Sequence, residues 1–197
     1  MRKVSCILLS VFSFVILTQA QTTHTELRNI RFGIDPGIAL SKGSFTPFSG
    51  DRRVYAGFDG GGFVQLGAKK IKLQGEVNYS MIGVELNNGS AEWTIKHSYI
   101  TIPVMAKYNM DRINLLTGPQ IGFLLSSKVD SSGGGGSIDV KEQFKSNDFD
   151  WVFGGEIRVT KNVFVGIRYV LGLTNISERS NFEMKNRYTS FRLGYMF

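Results

Sequence analysis

Few side chains in this 197-residue chain have types and spacing that could carry out chemistry. The only two histidines are His24 and His97, and the second is followed directly by Ser98. A hydrolase would need a histidine, a serine and an acid together on one face. Adjacent residues of a strand point to opposite sides of a sheet, so His97 and Ser98 are not expected to cooperate. We therefore predict that the protein is not an enzyme.

Two further patterns are no stronger as functional signals. The run "SSGGGGS" at 131–137 lacks the Lys-Ser/Thr pair of a phosphate-binding loop, and it is interpreted as a loop tip. Asp130, Asp139 and Glu142 are scattered acids, a pattern typical of solvated residues. Cys6 is the only cysteine. These observations predict no cofactor and no metal site.

The remaining charges of interest lie inside alternating, strand-like runs. In each run one side carries bulky apolar residues, and the other carries Gly, Ser, Asn, Gln and single charges. Acids and bases on the polar side are balanced, which a closed interior requires because an unpaired buried charge costs several kcal/mol. The pattern predicts an interior ion-pair network that plugs the lumen, with an ion or proton path as the alternative. Its members are Asp35, Asp59, Glu76, Lys107, Glu156, Arg158, Arg168 and Arg192.

Eight alternating runs must position these charges. Each has about 10 to 13 residues, more than the roughly 5–6 of a soluble strand and close to the roughly 9–11 of a tilted membrane strand. The predicted strands are Ile30–Leu40, Val54–Leu66, Ile71–Met81, Ser98–Met110, Ile113–Leu125, Phe149–Val159, Val163–Leu173 and Tyr188–Phe197.

The connections between these runs alternate between short and long. The short ones are "GAKK", "DR" and "TKN", and the long ones cover 41–53, 82–97, 126–148 and 174–187. This layout is typical of an outer-membrane barrel. The predicted fold is all-β, an eight-stranded antiparallel up-and-down transmembrane β-barrel with short periplasmic turns and long extracellular loops.

The short turns also predict the register of three hairpins. Lys107 should face Leu116, Gln65 should face Lys72, and Arg158 should face Phe164. Prolines Pro36, Pro103 and Pro119 lack a ladder donor, so we expect bulges or strand ends at these positions. The apolar side is predicted to face lipid, because aromatic residues lie on it near strand ends, where interfacial girdles form. They are Phe32, Tyr79, Tyr108, Phe149, Trp151 and Phe197.

The first residues indicate export. A basic start, an apolar stretch and "TQA" predict a signal peptide over 1–20, cleaved near Ala20. Residues 21–29 would form a mature N-terminal tail, and 30–197 the barrel domain, in the bacterial outer membrane. The formal net charge is +7, but no basic block is present, so nucleic acid is not expected as a partner.

Several segments resemble the PorT-like outer-membrane barrel domain that is common in Bacteroidetes. They are "YITIPVMAKYN", "TGPQIGFLLSSK", "FDWVFGGEIRV", "VGIRYVLGLTNIS" and the final "FRLGYMF". The resemblance implies an eight-stranded barrel of OmpA/OmpX-like architecture, surrounded by outer-membrane lipid. It also implies that Phe197 is the insertion signal read by the barrel-insertion machinery.

Three functions remain open at this point. The first is a structural, partner-binding or ligand-binding barrel with a plugged lumen, which acts through its long extracellular loops on a ligand or on an extracellular or secretion-machinery protein. The second is a narrow passive porin-like channel. The third is a secreted lipocalin-like carrier, in which the bulky apolar side would face inward.

Overall fold

The protein is described by a computed structural model over residues 30–42, 44–46, 51–68, 70–87, 92–131, 136–179 and 183–197. The predicted signal peptide (1–20) and tail (21–29) lie outside these ranges. Runs of β-branched and aromatic residues form long strands, with one 3-10 turn at Lys141–Gln143. The strands are β1 (Arg31–Ile34), β2 (Gly37–Ser41), β3 (Ser44–Thr46), β4 (Asp51–Ala68), β5 (Ile71–Asn87), β6 (Glu92–Met110), β7 (Ile113–Ser131), β8 (Ser137–Asp139), β9 (Asn147–Arg158), β10 (Val163–Gly172), β11 (Glu183–Lys185) and β12 (Arg187–Met196).

The strands close into a ring of eight antiparallel positions, as predicted. The order around the sheet is β1/β2, β4, β5, β6, β7, β9, β10 and β12, and β12 pairs with both β1 and β2 to complete the circle. The strands β3 and β11 form a separate two-stranded sheet. In the described part of the chain, no helix is long and apolar enough to cross a membrane.

The register agrees with the prediction in two hairpins and differs in the third. Lys107 lies opposite Leu116, and Arg158 lies opposite Phe164. Gln65, however, pairs with Gln74, so the predicted pairing with Lys72 is wrong by two residues. The strand β4 continues through Gly67, which has a φ of 128°, to Ala68 before the chain turns, so Gly67 rather than Gln65 pairs with Lys72. An even shift leaves every side chain on its predicted face.

The prolines behave differently from one another. Pro36 separates β1 from β2, which confirms a strand end there. The expectation of bulges or strand ends at Pro103 and Pro119 is wrong, because both lie inside unbroken strands with constant register. The β6–β7 pairing does have a one-residue bulge, but it lies nearer the extracellular end. Leu125 has no partner there, between the pairs Ser98–Ser126 and Tyr99–Leu124.

Three strands run six residues further toward the extracellular end than the sequence indicated. The strands β5 and β6 stay paired from Asn87–Glu92 downward, so the predicted loop at 82–97 is mostly hairpin. The strand β7 likewise continues to Ser131 and pairs with β8. Above Met81 the apolar residues of β5 change sides: Ile82 and Val84 are buried with the inward parity of Ser80, which is the polar side lower in the barrel. The pairing persists because backbone hydrogen bonds between neighbouring strands do not depend on which side is apolar.

The two faces of the ring have opposite character. Bulky apolar side chains point outward, including Leu115, Ile167 and Phe197, which are 51, 49 and 72% exposed. Charged side chains such as Glu76 and Arg168 point inward and are 3 and 2% exposed. This is the arrangement of a barrel with lipid outside, because hydrocarbon accepts the apolar face and the backbone is satisfied by closure.

Candidate functional site in the barrel lumen

The half of the lumen nearer the short periplasmic turns is filled by buried ion pairs centred on Arg168, which projects inward from β10. Its guanidinium contacts Glu76 at 2.6 Å and Asp35 at 2.7 Å, with Glu156 at 3.7 Å. Glu156 also forms an ion pair with Lys107. All five side chains are at most 3% exposed. Arginine suits this position because its planar fork can satisfy two carboxylates at once.

A second guanidinium, that of Arg192 on β12, extends the same network. It contacts Asp59 at 2.6 Å, Asp35 at 3.2 Å and Glu76 at 3.4 Å. Asp35 and Glu76 are therefore shared by the two arginines. The connected set has four acids and three bases, and it joins strands from both ends of the chain across the seam between β12 and β1/β2.

Neutral side chains satisfy other oxygens of these acids. Gln74 and Asn78 donate to the two Glu76 carboxylate oxygens at 2.6 and 2.9 Å. Ser80 donates to Asp59 at 2.6 Å. Such donors are needed because ion pairs in a dry interior stabilise only when the remaining lone pairs are also satisfied. They were not predicted individually, although they belong to the narrow polar side of the strands.

The structure brings together seven of the eight predicted network residues and leaves out Arg158. Within the described ranges no ion pair joins Arg158 to an acid. It has the expected lumenal orientation, but it lies at the short-turn end and is half-buried. The prediction that Arg158 belongs to the network is therefore wrong. Alternation shows which side of a strand a residue is on, but not how deep the residue lies along the barrel axis.

A second polar layer above the ion pairs was missed in the sequence. Asp150 accepts a hydrogen bond from Gln120 at 2.8 Å, and Asp148 accepts one from Asn186 at 2.7 Å. Gln120 also contacts the Tyr188 hydroxyl at 3.4 Å. A signal existed, because residues 148 and 150 share the parity of the inward Glu156. In the described part of the chain, no group of His, Cys, Asp and Glu is arranged to hold a metal ion.

A small apolar cap closes the extracellular end of the lumen. Val84, Ile176 and Met184 form a buried cluster, against which Phe144 packs. The segment is tied down by main-chain bonds from Lys145 N to Ile176 O at 2.8 Å and from Ile176 N to Met184 O at 2.9 Å. The cap comes from three segments that were predicted as the loops 82–97, 126–148 and 174–187.

His97 lies fully buried beneath the cap, with its ring 4.6 Å from that of Phe144. Neither ring nitrogen has a hydrogen-bond partner among the described residues. Ser98 points to the other side of β6, where it accepts a hydrogen bond from the Tyr79 hydroxyl at 3.0 Å. The two side chains are therefore separated by the sheet.

Above the apolar belt, an exposed ion pair links the projecting ends of β6 and β7. Lys96 Nζ lies 2.6 Å from Asp130 Oδ2. The hydrogen bond from Lys96 lowers the pKa of Asp130 and raises that of Lys96. Asp130, which the sequence placed in a loop, is thus part of a strand.

The sequence carries the family relationship that this geometry suggests. Residues 19–178 match the family described as outer membrane protein beta-barrel domain. The chain belongs to that family. Membership indicates the bacterial outer membrane as the location of this barrel. No curated protein matches it in sequence.

Solved structures with similar folds are outer-membrane proteins of low sequence identity. Neisserial surface protein A is 15% identical, with 86% of this chain and 98% of that chain covered and a TM-score of 0.49. OprG from Pseudomonas aeruginosa is 11% identical, with 85% of this chain and 95% of that chain covered and a TM-score of 0.46.

The free space inside this outer-membrane barrel decreases steeply from the periplasmic end. A cavity of about 620 Å³ opens at the short turns, lined by Arg31, Arg112, Arg158 and Lys161 among others. It narrows beside Lys107 to about 10 Å³, the room needed for one water molecule. At the level of the second polar layer, the pocket between the described side chains has a volume of about 0 Å³.

Proposed function

We propose that this protein is a barrel with a sealed lumen that acts through its extracellular end, as a structural or partner-binding protein of the outer membrane. The single observation that supports this proposal is the filling of the lumen in three successive layers. The ion pairs, the second polar layer and the apolar cap lie one above the other. Each layer is built from residues of several strands, so no single side-chain rotation opens a path.

The chemistry of the ion pairs also favours a sealed barrel. Separating buried partners such as Arg168 and Glu76 leaves uncompensated charge, at a cost of about 3–5 kcal/mol. A conducting path would have to hydrate these groups at the same time. A rigid plug is the lower-energy state, and it leaves the lumen with no role in transport.

The extracellular end supplies the surface on which a partner would bind. Strands β5, β6 and β7 project beyond the apolar belt as stiff hairpins rather than loose loops. This end presents Ile138, which is 61% exposed, on one face of the β7–β8 pair and the exposed Lys128 on the other face. A mixed apolar and charged surface on fixed strands suits a protein partner, either extracellular or part of a secretion machinery.

Conductance in planar lipid bilayers tests the sealed lumen. Reconstituted protein should give no current steps, because the layer around Tyr99 and Tyr188 leaves no aqueous path. A Tyr99→Ala/Tyr188→Ala variant, which removes two rings lining that layer, serves as the matched comparison and should also give no steps, because the ion pairs and the apolar cap still close the lumen. Regular stepwise openings of the unaltered protein would refute the proposal.

A narrow channel is the second candidate, and the open periplasmic cavity is what favours it. The mouth is wide and basic, as an anion vestibule would be. Its short continuation ends at the ion pair of Lys107 with Glu156. The third candidate, a lipocalin-like carrier, has no such support because the bulky apolar side faces outward.

We also infer that the barrel is not an enzyme, since His97 and Ser98 lie on opposite sides of β6. The PorT-like assignment and the role of Phe197 as an insertion signal remain proposals. Phe197 donates its backbone N–H to Phe32 O at 2.9 Å, so its ring is held at the end of β12. A Phe197→Ser change should lower the yield of heat-modifiable, inserted barrel, and an unchanged yield would argue against the signal.

A further inference from the structure

The periplasmic mouth of the barrel concentrates positive charge in a cavity. Arg31, Arg112, Arg158 and Lys161 line it, and Lys72 lines its inner neck. None of the residues that line either space has an acidic side chain. Lys107, deeper in the neck, is matched by Glu156. The other five cations form no ion pair with any described acid.

Hydrogen bonds fix the turns from which Arg112, Arg158 and Lys161 extend. Arg158 N donates to Arg112 O at 2.8 Å, which ties the end of β9 to the β6–β7 turn. In that turn Asp111 has a φ of 57°, so the chain reverses within two residues and Arg112 is carried to the mouth. The next turn is fixed by Thr160, whose hydroxyl accepts hydrogen bonds from the N–H groups of Asn162 and Val163 at 3.2 and 3.0 Å. Lys161 lies at its tip.

Unpaired cations that converge on a cavity repel one another unless an anion lies between them. Arginine forks match the tetrahedral oxygens of phosphate, and several charge-assisted hydrogen bonds give such a site strength. The rim adds a second feature. Val159 and Phe197 are 61 and 72% exposed and face outward, so the cavity borders the apolar belt as well as water.

We propose that this periplasmic cavity binds a phosphate-bearing anion through Arg31, Arg112, Arg158 and Lys161. The volume of about 620 Å³ accommodates a phosphorylated small molecule or a phospholipid headgroup. The shared chemistry is the phosphate group. A headgroup would place its acyl chains against Val159 and Phe197, whereas a free phosphate would enter from the periplasm.

The first arm of the test measures inorganic pyrophosphate binding by calorimetry, with the full barrel in neutral maltoside micelles at about 0.15 M chloride, where the Debye length is about 8 Å. We expect saturable one-site binding. An Arg112→Gln/Arg158→Gln variant should bind about tenfold or more weakly, because two charge-assisted contacts are lost. Arg187→Gln, which removes an exposed cation at the extracellular end, is the matched control and should bind as the unaltered protein does.

The second arm distinguishes the two sources. Barrels in nanodiscs of phosphatidylcholine with added phosphatidylglycerol are released and analysed by native mass spectrometry. Retained phosphatidylglycerol that is lost in the double variant, without pyrophosphate binding, identifies a lipid headgroup. Pyrophosphate binding without retained lipid identifies a soluble phosphate.

The proposal fails if neither probe binds, or if the double variant binds both as tightly as the Arg187→Gln control. It also fails if chloride at equal ionic strength displaces the probe completely. A heat-modifiability gel confirms that each variant is folded, and Lys161→Gln replaces the double variant should the latter not fold. Because the cavity lies below the plug, these outcomes do not depend on whether the lumen conducts.

Discussion

Replacing Arg168 by methionine tests the ion-pair network most directly. The guanidinium forms two short ion pairs, 2.6 Å to Glu76 and 2.7 Å to Asp35, and a longer contact to Glu156. Each acid keeps a second cation, since Arg192 contacts Asp35 and Glu76, and Lys107 contacts Glu156. The loss should therefore fall near the lower end of the roughly 3–5 kcal/mol expected when one partner of a buried pair is removed.

The measurement is urea unfolding in lipid vesicles, followed by the fluorescence of the two tryptophans. We expect Arg168→Met to lower the unfolding free energy by about 3 kcal/mol. Arg187→Met is the control for loss of an exposed arginine, and it should stay within about 0.5 kcal/mol.

A double variant separates charge imbalance from lost packing. Arg168→Met combined with Glu76→Gln removes one acid with the base, so it should recover about 1–2 kcal/mol relative to the single change. If the single variant stays within about 1 kcal/mol of the unaltered protein, or the double variant is less stable than the single one, the reasoning about a stabilising network of buried ion pairs is wrong.

Further predictions concern the lipid face, a strand contact and the cap. Ile167→Lys, on the lipid face, should cost about 2–4 kcal/mol in vesicle unfolding, whereas Ile138→Lys above the belt should cost almost nothing; equal effects would place the belt elsewhere. Gly118→Ala should destabilise by about 1–3 kcal/mol, because its new Cβ would clash with the backbone oxygen of Val104, while a Cβ at Gly75 would meet nothing within 4 Å and Gly75→Ala should not destabilise. His97→Leu should raise stability by about 1–2 kcal/mol because it removes two buried polar atoms without partners, and a loss in urea unfolding would mean that the imidazole is bonded.

The division of the strands into lipid and lumen sides could be predicted from the sequence, and the reason is geometric. Side chains on a strand alternate with a period of two, so Leu115 and Ile167 had to share one face, with Glu76 and Arg168 on the other. Even the two-residue register error at Gln65 left these faces intact. Alternation is a robust signal wherever one side contacts hydrocarbon.

Position along the barrel axis was harder to predict. The Arg158 side chain is on the lumen side of β9 but lies at the periplasmic mouth. Alternation with a period of two gives no information about position along the barrel axis. Asp148 and His97 were missed because they were assigned to loops, whereas Asp150 lay inside the predicted strand Phe149–Val159 and its inward parity was not used. The pairing nevertheless continues, because the backbone ladder is indifferent to side-chain polarity.

The seam between the two ends of the chain gives the ion-pair network a consequence for assembly. Arg168 reaches Asp35 across 133 residues of sequence, and Arg192 reaches it across 157. These contacts exist only after the last strand has joined the first. A barrel that has not yet closed would expose unpaired charged side chains to lipid acyl chains, so partly closed intermediates are disfavoured. The network therefore makes closure of the barrel cooperative, because the pairing of β12 with β1 and β2 and the formation of these ion pairs occur together.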